Sequence, residues 1–183
     1  MKKILSLIIL FFFINNCSES YNKSDLQMYG VILGQSLLDH LDEKQIKDLQ
    51  IDWATPIKND KIKTIVLERN NSDIFKNLEI DFKNDSSYKI LVIRSIVSCE
   101  EIKLDCKNLF SEFLSQTTKR FPGARRVDEE DQTGIPGKFD KFRSFKLKDA
   151  TINIRFFNIQ DGKPDNTYLF MTMFFDEIRE YTK

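Results

Sequence analysis

Hydrophobic and polar positions divide the 183-residue chain into a short apolar leader and a longer patterned region. Lys2 and Lys3 precede an apolar run at 4–14, which Asn15, Asn16 and Cys17 close. That run falls short of the roughly 20 residues a membrane-spanning helix needs. Its order of basic, apolar and polar residues predicts an export signal over 1–16. Residues 17–27, rich in Ser, Asn, Glu and Lys without an apolar period, predict a short tether, and 28–183 a single α/β domain.

Within 28–183 a helical period gives way to alternation. Tyr29, Gly30, Val31, Ile32, Leu33 and Gly34 lead into Ser36, whose hydroxyl suits a helix N-cap. Leu37, Leu38, Leu41 and Leu49 then recur near helical spacing and predict an amphipathic helix, with Asp42, Glu43, Lys44 and Lys47 on its polar side. Strand-like runs follow at 62–67, 78–82 and 88–97. In the last, Tyr88, Ile90 and Val92 alternate with Lys89, Leu91 and Ile93; both faces are largely apolar, which predicts a central strand. Leu109, Phe110, Phe113, Leu114 and Thr117 predict a second amphipathic helix that ends before Phe121, Pro122 and Gly123. Three more strands are expected at 139–147, 151–159 and 167–175, the last two joined by a hairpin loop at 161–165. The fold class expected is therefore α+β, with two amphipathic helices packed on an antiparallel sheet of about six strands.

Segment 13–17 resembles the lipobox of bacterial lipoproteins. Ile14 stands three residues before Cys17, although Asn15 and Asn16 are larger and more polar than the small residues of that pattern. The resemblance implies that Cys17 is lipid-modified, begins the mature chain and anchors it to a membrane, each buried methylene contributing about 0.8 kcal/mol. Ser18 after the cysteine implies the bacterial cell envelope, with the outer membrane favoured and the domain facing the periplasm or the surface. Two other readings stay open: secretion after cleavage near Ser18 and Ser20, and a retained N-terminal helix. The element order reads as one αβββ unit twice. With Gly30 to Ser36 leading into a helix, it resembles over roughly 28–175 the exported modules of paired helix-plus-meander units. These are the β-lactamase-inhibitor-protein-like fold and the small accessory lipoproteins of outer-membrane protein assembly. That resemblance implies a protein-binding scaffold without chemistry.

Charge narrows the classes further. Lys and Arg number 28, as do Asp and Glu, so loss of Lys2 and Lys3 with the signal leaves a net charge of −2. No basic excess is present to neutralise phosphates, which speaks against a nucleic-acid partner. Sixteen Phe against one Trp and six Gly predict a β-rich core filled by aromatic and β-branched side chains. Apart from Cys17, only Cys99 and Cys106 remain, and such a pair in an exported chain predicts a disulfide. On one continuous helix this spacing would separate the Cα atoms by about 10.5 Å, against the roughly 7 Å a disulfide tolerates, so the helix has to start after Cys99. A metal site and a redox dithiol are the rivals, and the absence of a CxxC motif and the single histidine argue against both.

The search for chemistry is short. His40 is the only histidine, which removes Ser-His-Asp and Cys-His arrangements, and its place on the flank of the apolar stripe predicts a partly exposed side chain. Ser36 lacks the second glycine of a nucleophile elbow, and no phosphate-cradling glycine motif occurs. A non-catalytic protein without cofactor or metal is expected. Arg125, Arg126, Asp128, Glu129, Glu130 and Asp131, followed by Ile135, predict a solvated charged loop and the candidate partner contact. Gly134 falls out of register with Asp128 for a calcium loop. Phe156–Phe157 and Phe174–Phe175 are adjacent pairs that point to opposite faces of their strands; they are core if both sheet faces are covered and a contact surface if one is open. The function expected is a membrane-anchored lipoprotein acting as a binding or envelope-assembly module with a protein partner. A toxin-neutralising immunity or inhibitor protein is the second reading and a hydrolase the third.

Overall fold

Tyr29 and Gly30 turn strand β1 (Gln27–Met28) into β2 (Val31–Ile32), with φ of 51° and 83°. Positive φ at both central residues is what a two-residue hairpin needs to match strand twist. The structure is a computed structural model that describes residues 21–51, 60–68, 74–102, 105–131, 140–158 and 167–181. The leader with Cys17, the loop at 161–165 and the stretch containing Ile135 lie outside the described residues.

The helix expected over 37–49 divides in two. Ser36 Oγ accepts from the Leu38 amide and caps a 3-10 turn at Leu37–Asp39, and α1 (Glu43–Asp48) starts afresh at Asp42. Asp42 accepts from the Gln45 amide while the Gln45 side chain accepts from the Asp42 amide. An aspartate that caps so well opens a new helix rather than continuing an old one. Only Leu37 and Ile46 of this stretch are fully buried.

The alternating segments form one antiparallel sheet of seven strands. In chain order these are β3 (Ile62–Glu68), β4 (Asn77–Lys83), β5 (Ile90–Ser98), β6 (Arg125–Asp131), β7 (Asp140–Lys146), β8 (Ala150–Asn158) and β9 (Thr167–Phe175). Their spatial order is β3-β4-β5-β9-β8-β7-β6. Two meanders therefore meet at β5 and β9. After the one-turn helix α2 (Cys99–Ile102), helix α3 (Cys106–Arg120) carries the chain from the centre of the sheet to its far edge. The α+β class holds, with one long helix instead of two and seven strands in the main sheet.

Cys99 and Cys106 are disulfide-bonded with Cα atoms 5.6 Å apart. The chain bends between them, and Asp105 caps α3 by accepting from the Lys107 and Asn108 amides. The segment Arg125–Asp131, expected as a loop, is instead the edge strand β6, paired with β7 along its whole length. Acidic residues are depleted from strands on average, which hides it in the sequence; on an edge, charge keeps the free side from pairing with another chain.

Helix α3 fixes which side of the sheet is core. Phe110 stacks on Phe156 at 5.7 Å between ring centroids. The same face presents Ala150, Ile152 and Ile154 of β8, Leu169, Met173 and Phe175 of β9, and Ile93 and Val97 of β5, all buried. The N-terminal segment crosses this face as well. At Gly34, with φ of 89°, a Cβ would lie 2.9 Å from Phe175 Cε2, so the chain passes over that ring only as glycine. Upstream, Leu26 is fully buried and the Tyr21 ring meets Phe121 edge-on at 6.3 Å. The Tyr21 hydroxyl donates to Asp149. Of the segment 17–27 assigned to a tether, the part from Tyr21 onward thus lies against the domain.

Candidate functional site

Strand alternation sends every second residue to the face away from α3. Cross-strand register aligns these residues in rows. One row runs Glu79, Arg94, Thr172, Asn153, Ser144 and Val127. A second runs Ile96, Phe170, Arg155 and Phe142, and a third Ser98, Tyr168, Phe157 and Asp140.

The two aromatic rows form a surface separate from the core. Ile96 is 47% exposed, the largest value for a large apolar side chain among the described residues. Phe142, Phe157, Tyr168 and Phe170 are half-buried and stand apart from the core cluster of the described residues. Phe157 and Tyr168 stack at 5.6 Å, and the Arg155 guanidinium lies 4.9 Å from the Phe157 ring. Arg155 is held there by Asp140, which accepts from its Nε at 2.8 Å. That hydrogen bond, opposed by burial and aided by the Asp140 charge, keeps the guanidinium pKa above its usual value.

The polar row is the other half of the site. Ser144 and Thr172 are 3% and 8% exposed. Ser144 Oγ, Asn153 Oδ1 and Thr172 Oγ1 have no hydrogen-bond partner among the described residues. These atoms are buried, and a buried polar group left unpaired costs about 1 to 3 kcal/mol, so the row beside the aromatic rows carries a local polar cost. At the row's other end the pairing is complete. Arg94 donates from Nη1 and Nη2 to Asp81 at 2.6 and 2.9 Å and from Nε to Glu79 at 2.7 Å, and Thr64 Oγ1 donates to Asp81 at 2.7 Å. Burial works against the charge on Arg94, but Asp81 and then Glu79 outweigh it and raise its pKa.

The C-terminal 3-10 turn (Asp176–Tyr181) closes the opposite end of this face. Thr151 Oγ1 donates to Asp176 at 3.1 Å, Glu177 pairs with Lys89 at 2.6 Å and Lys83 at 3.6 Å, and Lys83 Nζ lies 5.8 Å from the Tyr181 ring. Burial pushes the Glu177 carboxyl up, and the hydrogen bonds and charges of Lys89 and Lys83 bring it below its ordinary range.

The structure distributes the residues singled out in the sequence. As a strand, β6 sets Arg125 and Glu129 in register with Lys146 and Phe142 of the open face. It sets Arg126 and Asp128 in register with Phe145 and Arg143 of the α3 face. Asp128 accepts from Arg126 at 2.6 Å and faces Arg143 at 3.2 Å. The expected charged loop is thus split by alternation. Glu130 and Asp131 lie opposite Lys141 and Asp140. His40 is exposed just after the 3-10 turn it ends. Both phenylalanine pairs divide between the faces: Phe156 and Phe175 are buried in the core, whereas Phe157 and Phe174 are half-buried on the open side. The row of Ser144, Asn153 and Thr172 escaped the sequence reading, because three isolated polar residues in three strands align only once register is known. Among the described residues no group of three His, Cys, Asp or Glu side chains stands close enough to hold a metal. Comparison with family models, curated proteins and solved structures finds no match for the chain.

Proposed function

We propose that this protein is an exported lipoprotein, anchored through Cys17 in the bacterial cell envelope, that acts by binding a protein partner and not by catalysis. The observation that carries the binding reading is the sheet face opposite α3, where Ile96, Phe142, Phe157, Tyr168 and Phe170 stay outside the core beside a row of unpartnered polar atoms. Contiguous apolar surface rimmed by polar groups is the signature of a contact site. Here the aromatic rows supply desolvation, and Arg125 and Arg155 supply charge at the rim. The anchoring reading rests on the leader and Cys17, with Tyr21 docked on the domain only four residues later.

The test uses full-length chain expressed in a bacterium. Intact mass and membrane fractionation compare wild type with Cys17→Ala, and native-size separation compares wild type with Ile96→Glu/Phe170→Glu. A lipid-modified, membrane-bound wild type that migrates in a larger assembly, a released Cys17 variant and a folded but unassembled face variant are expected. An unmodified soluble wild type overturns the anchor, and an undisturbed assembly in the face variant overturns the contact.

A further inference from the structure

The α3 side of the sheet holds a cavity of about 280 Å³ between the helix, the β1–β2 hairpin and β9. Its interior is formed by Met28, Phe75, Phe113, Ile152, Met171 and Met173. Three unbranched thioether side chains among apolar walls adapt to a flexible chain better than to a rigid ring system. At roughly 30 Å³ for a group the size of water or methylene, the volume matches roughly nine such groups. Asp25 and Arg120 line its exposed side as an ion pair, Arg120 Nη2 donating to Asp25 Oδ1 at 3.5 Å, each side chain about two-fifths exposed.

One wall is held under strain. Tyr29 adopts φ of 51°, a left-handed conformation that costs an aromatic residue of order 1 kcal/mol or more. Its hydroxyl accepts from the Phe75 amide at 3.1 Å and so ties the hairpin to the part of the lining formed by Ile74 and Phe75.

We propose that this cavity binds one acyl chain of a zwitterionic amphiphile of the glycerophospholipid kind. The chain lies among the methionines, the phosphate meets Arg120 and the ammonium meets Asp25. A mouth of both signs matches a head of both signs; a fatty acid would satisfy Arg120 and be repelled by Asp25. The membrane as source rests on the anchoring proposed above: Tyr21 packs on Phe121, which lines the cavity, and the four residues back to Cys17 reach at most about 14 Å. The mouth therefore stays close to the bilayer surface.

The test takes full-length Cys17→Ala chain, which carries no lipid of its own, and titrates it below the micelle range with 1-decanoyl-lysophosphatidylcholine, decanoate or decyltrimethylammonium, read by native mass spectrometry and calorimetry. Saturable one-to-one binding is expected, tightest for the zwitterion, weakened about three- to fivefold by Arg120→Gln or Asp25→Asn and abolished by Met171→Trp, which fills the interior. Absence of saturable binding, preference for decanoate or decyltrimethylammonium, or unchanged affinity in the mouth variants overturns the proposal, and the mouth variants decide it should Met171→Trp fail to fold. Intact mass of the wild type reads the anchor separately. Binding by a chain whose wild type is unlipidated supports the cavity and overturns the anchor; a lipidated wild type without binding does the reverse.

Discussion

Phe156 and Phe157 are neighbours on one strand and chemically identical, yet the structure assigns them to opposite fates, and truncating each to alanine separates the two sheet faces. Phe156 is 6% exposed and stacks on Phe110 beneath α3, so Phe156→Ala removes a buried aromatic and leaves a cavity that helix and sheet cannot close. Such truncations cost about 3 to 5 kcal/mol. Phe157 lies outside the core and contacts the Tyr168 ring at 5.6 Å and the Arg155 guanidinium at 4.9 Å. An aromatic pair contributes about 0.5 to 1.5 kcal/mol and an exposed cation–π contact about 0.5 to 1, so Phe157→Ala is expected to cost about 1 to 2.5 kcal/mol. The gap is at least about 0.5 kcal/mol and centrally about 2. Urea unfolding with the disulfide intact measures both, the midpoint shifting at constant slope if only stability has changed. At about 2 to 4 °C per kcal/mol for a domain of this size, the melting temperature should fall by about 6 to 20 °C for Phe156→Ala and by about 2 to 10 °C for Phe157→Ala. Equal losses in the two variants would refute the assignment of one packed and one open face.

Three further perturbations probe the rest of the fold. Arg94→Met takes the guanidinium from the Asp81 carboxylate, whose side chain is 2% exposed, and leaves it the Thr64 hydroxyl; this should cost about 3 to 5 kcal/mol, while the paired Asp81→Leu/Arg94→Met variant should recover most of that in the same urea assay. Gly34→Ala places a Cβ 2.9 Å from the buried Phe175 ring at φ of 89° and should destabilise by about 1 to 3 kcal/mol, whereas Gly30→Ala, with open space around it, should cost only the backbone strain of about 1 kcal/mol. Because the Glu177 pKa is lowered in the folded chain, its contribution is present above the ordinary glutamate range near pH 4.3 and disappears as pH falls through the folded value; melting curves from pH 7 down to about 3 should show a loss that Glu177→Gln lacks.

Much of the sheet was readable because alternation is local. The runs at 62–67, 78–82, 88–97, 151–159 and 167–175 each correspond to an observed strand, and the reach of a disulfide forced the break between Cys99 and α3. Two elements were not readable. Asp42 looked like one polar position on a helical face, and its capping geometry with Gln45 is what makes it a start. The β6 segment Arg125–Asp131 carries the composition of a loop, and pairing with β7 is a tertiary fact that composition cannot express. The aromatic and polar rows opposite α3 lay deeper still. Phe157 and Tyr168 are eleven positions apart, and Ser144, Asn153 and Thr172 sit on separate strands, so their alignment follows from register across β7, β8 and β9.

The central claim is that the face opposite α3 meets a protein partner while the leader holds the molecule at a membrane. A photoreactive phenylalanine analogue placed at Phe170, and in parallel at exposed Leu38 away from that face, tests it in bacteria expressing the full chain. The account predicts one crosslinked species of defined mass from position 170, in the membrane fraction, lost when Ile96→Glu is added, and no corresponding species from position 38. Equal labelling from both positions, or none from position 170, would contradict it.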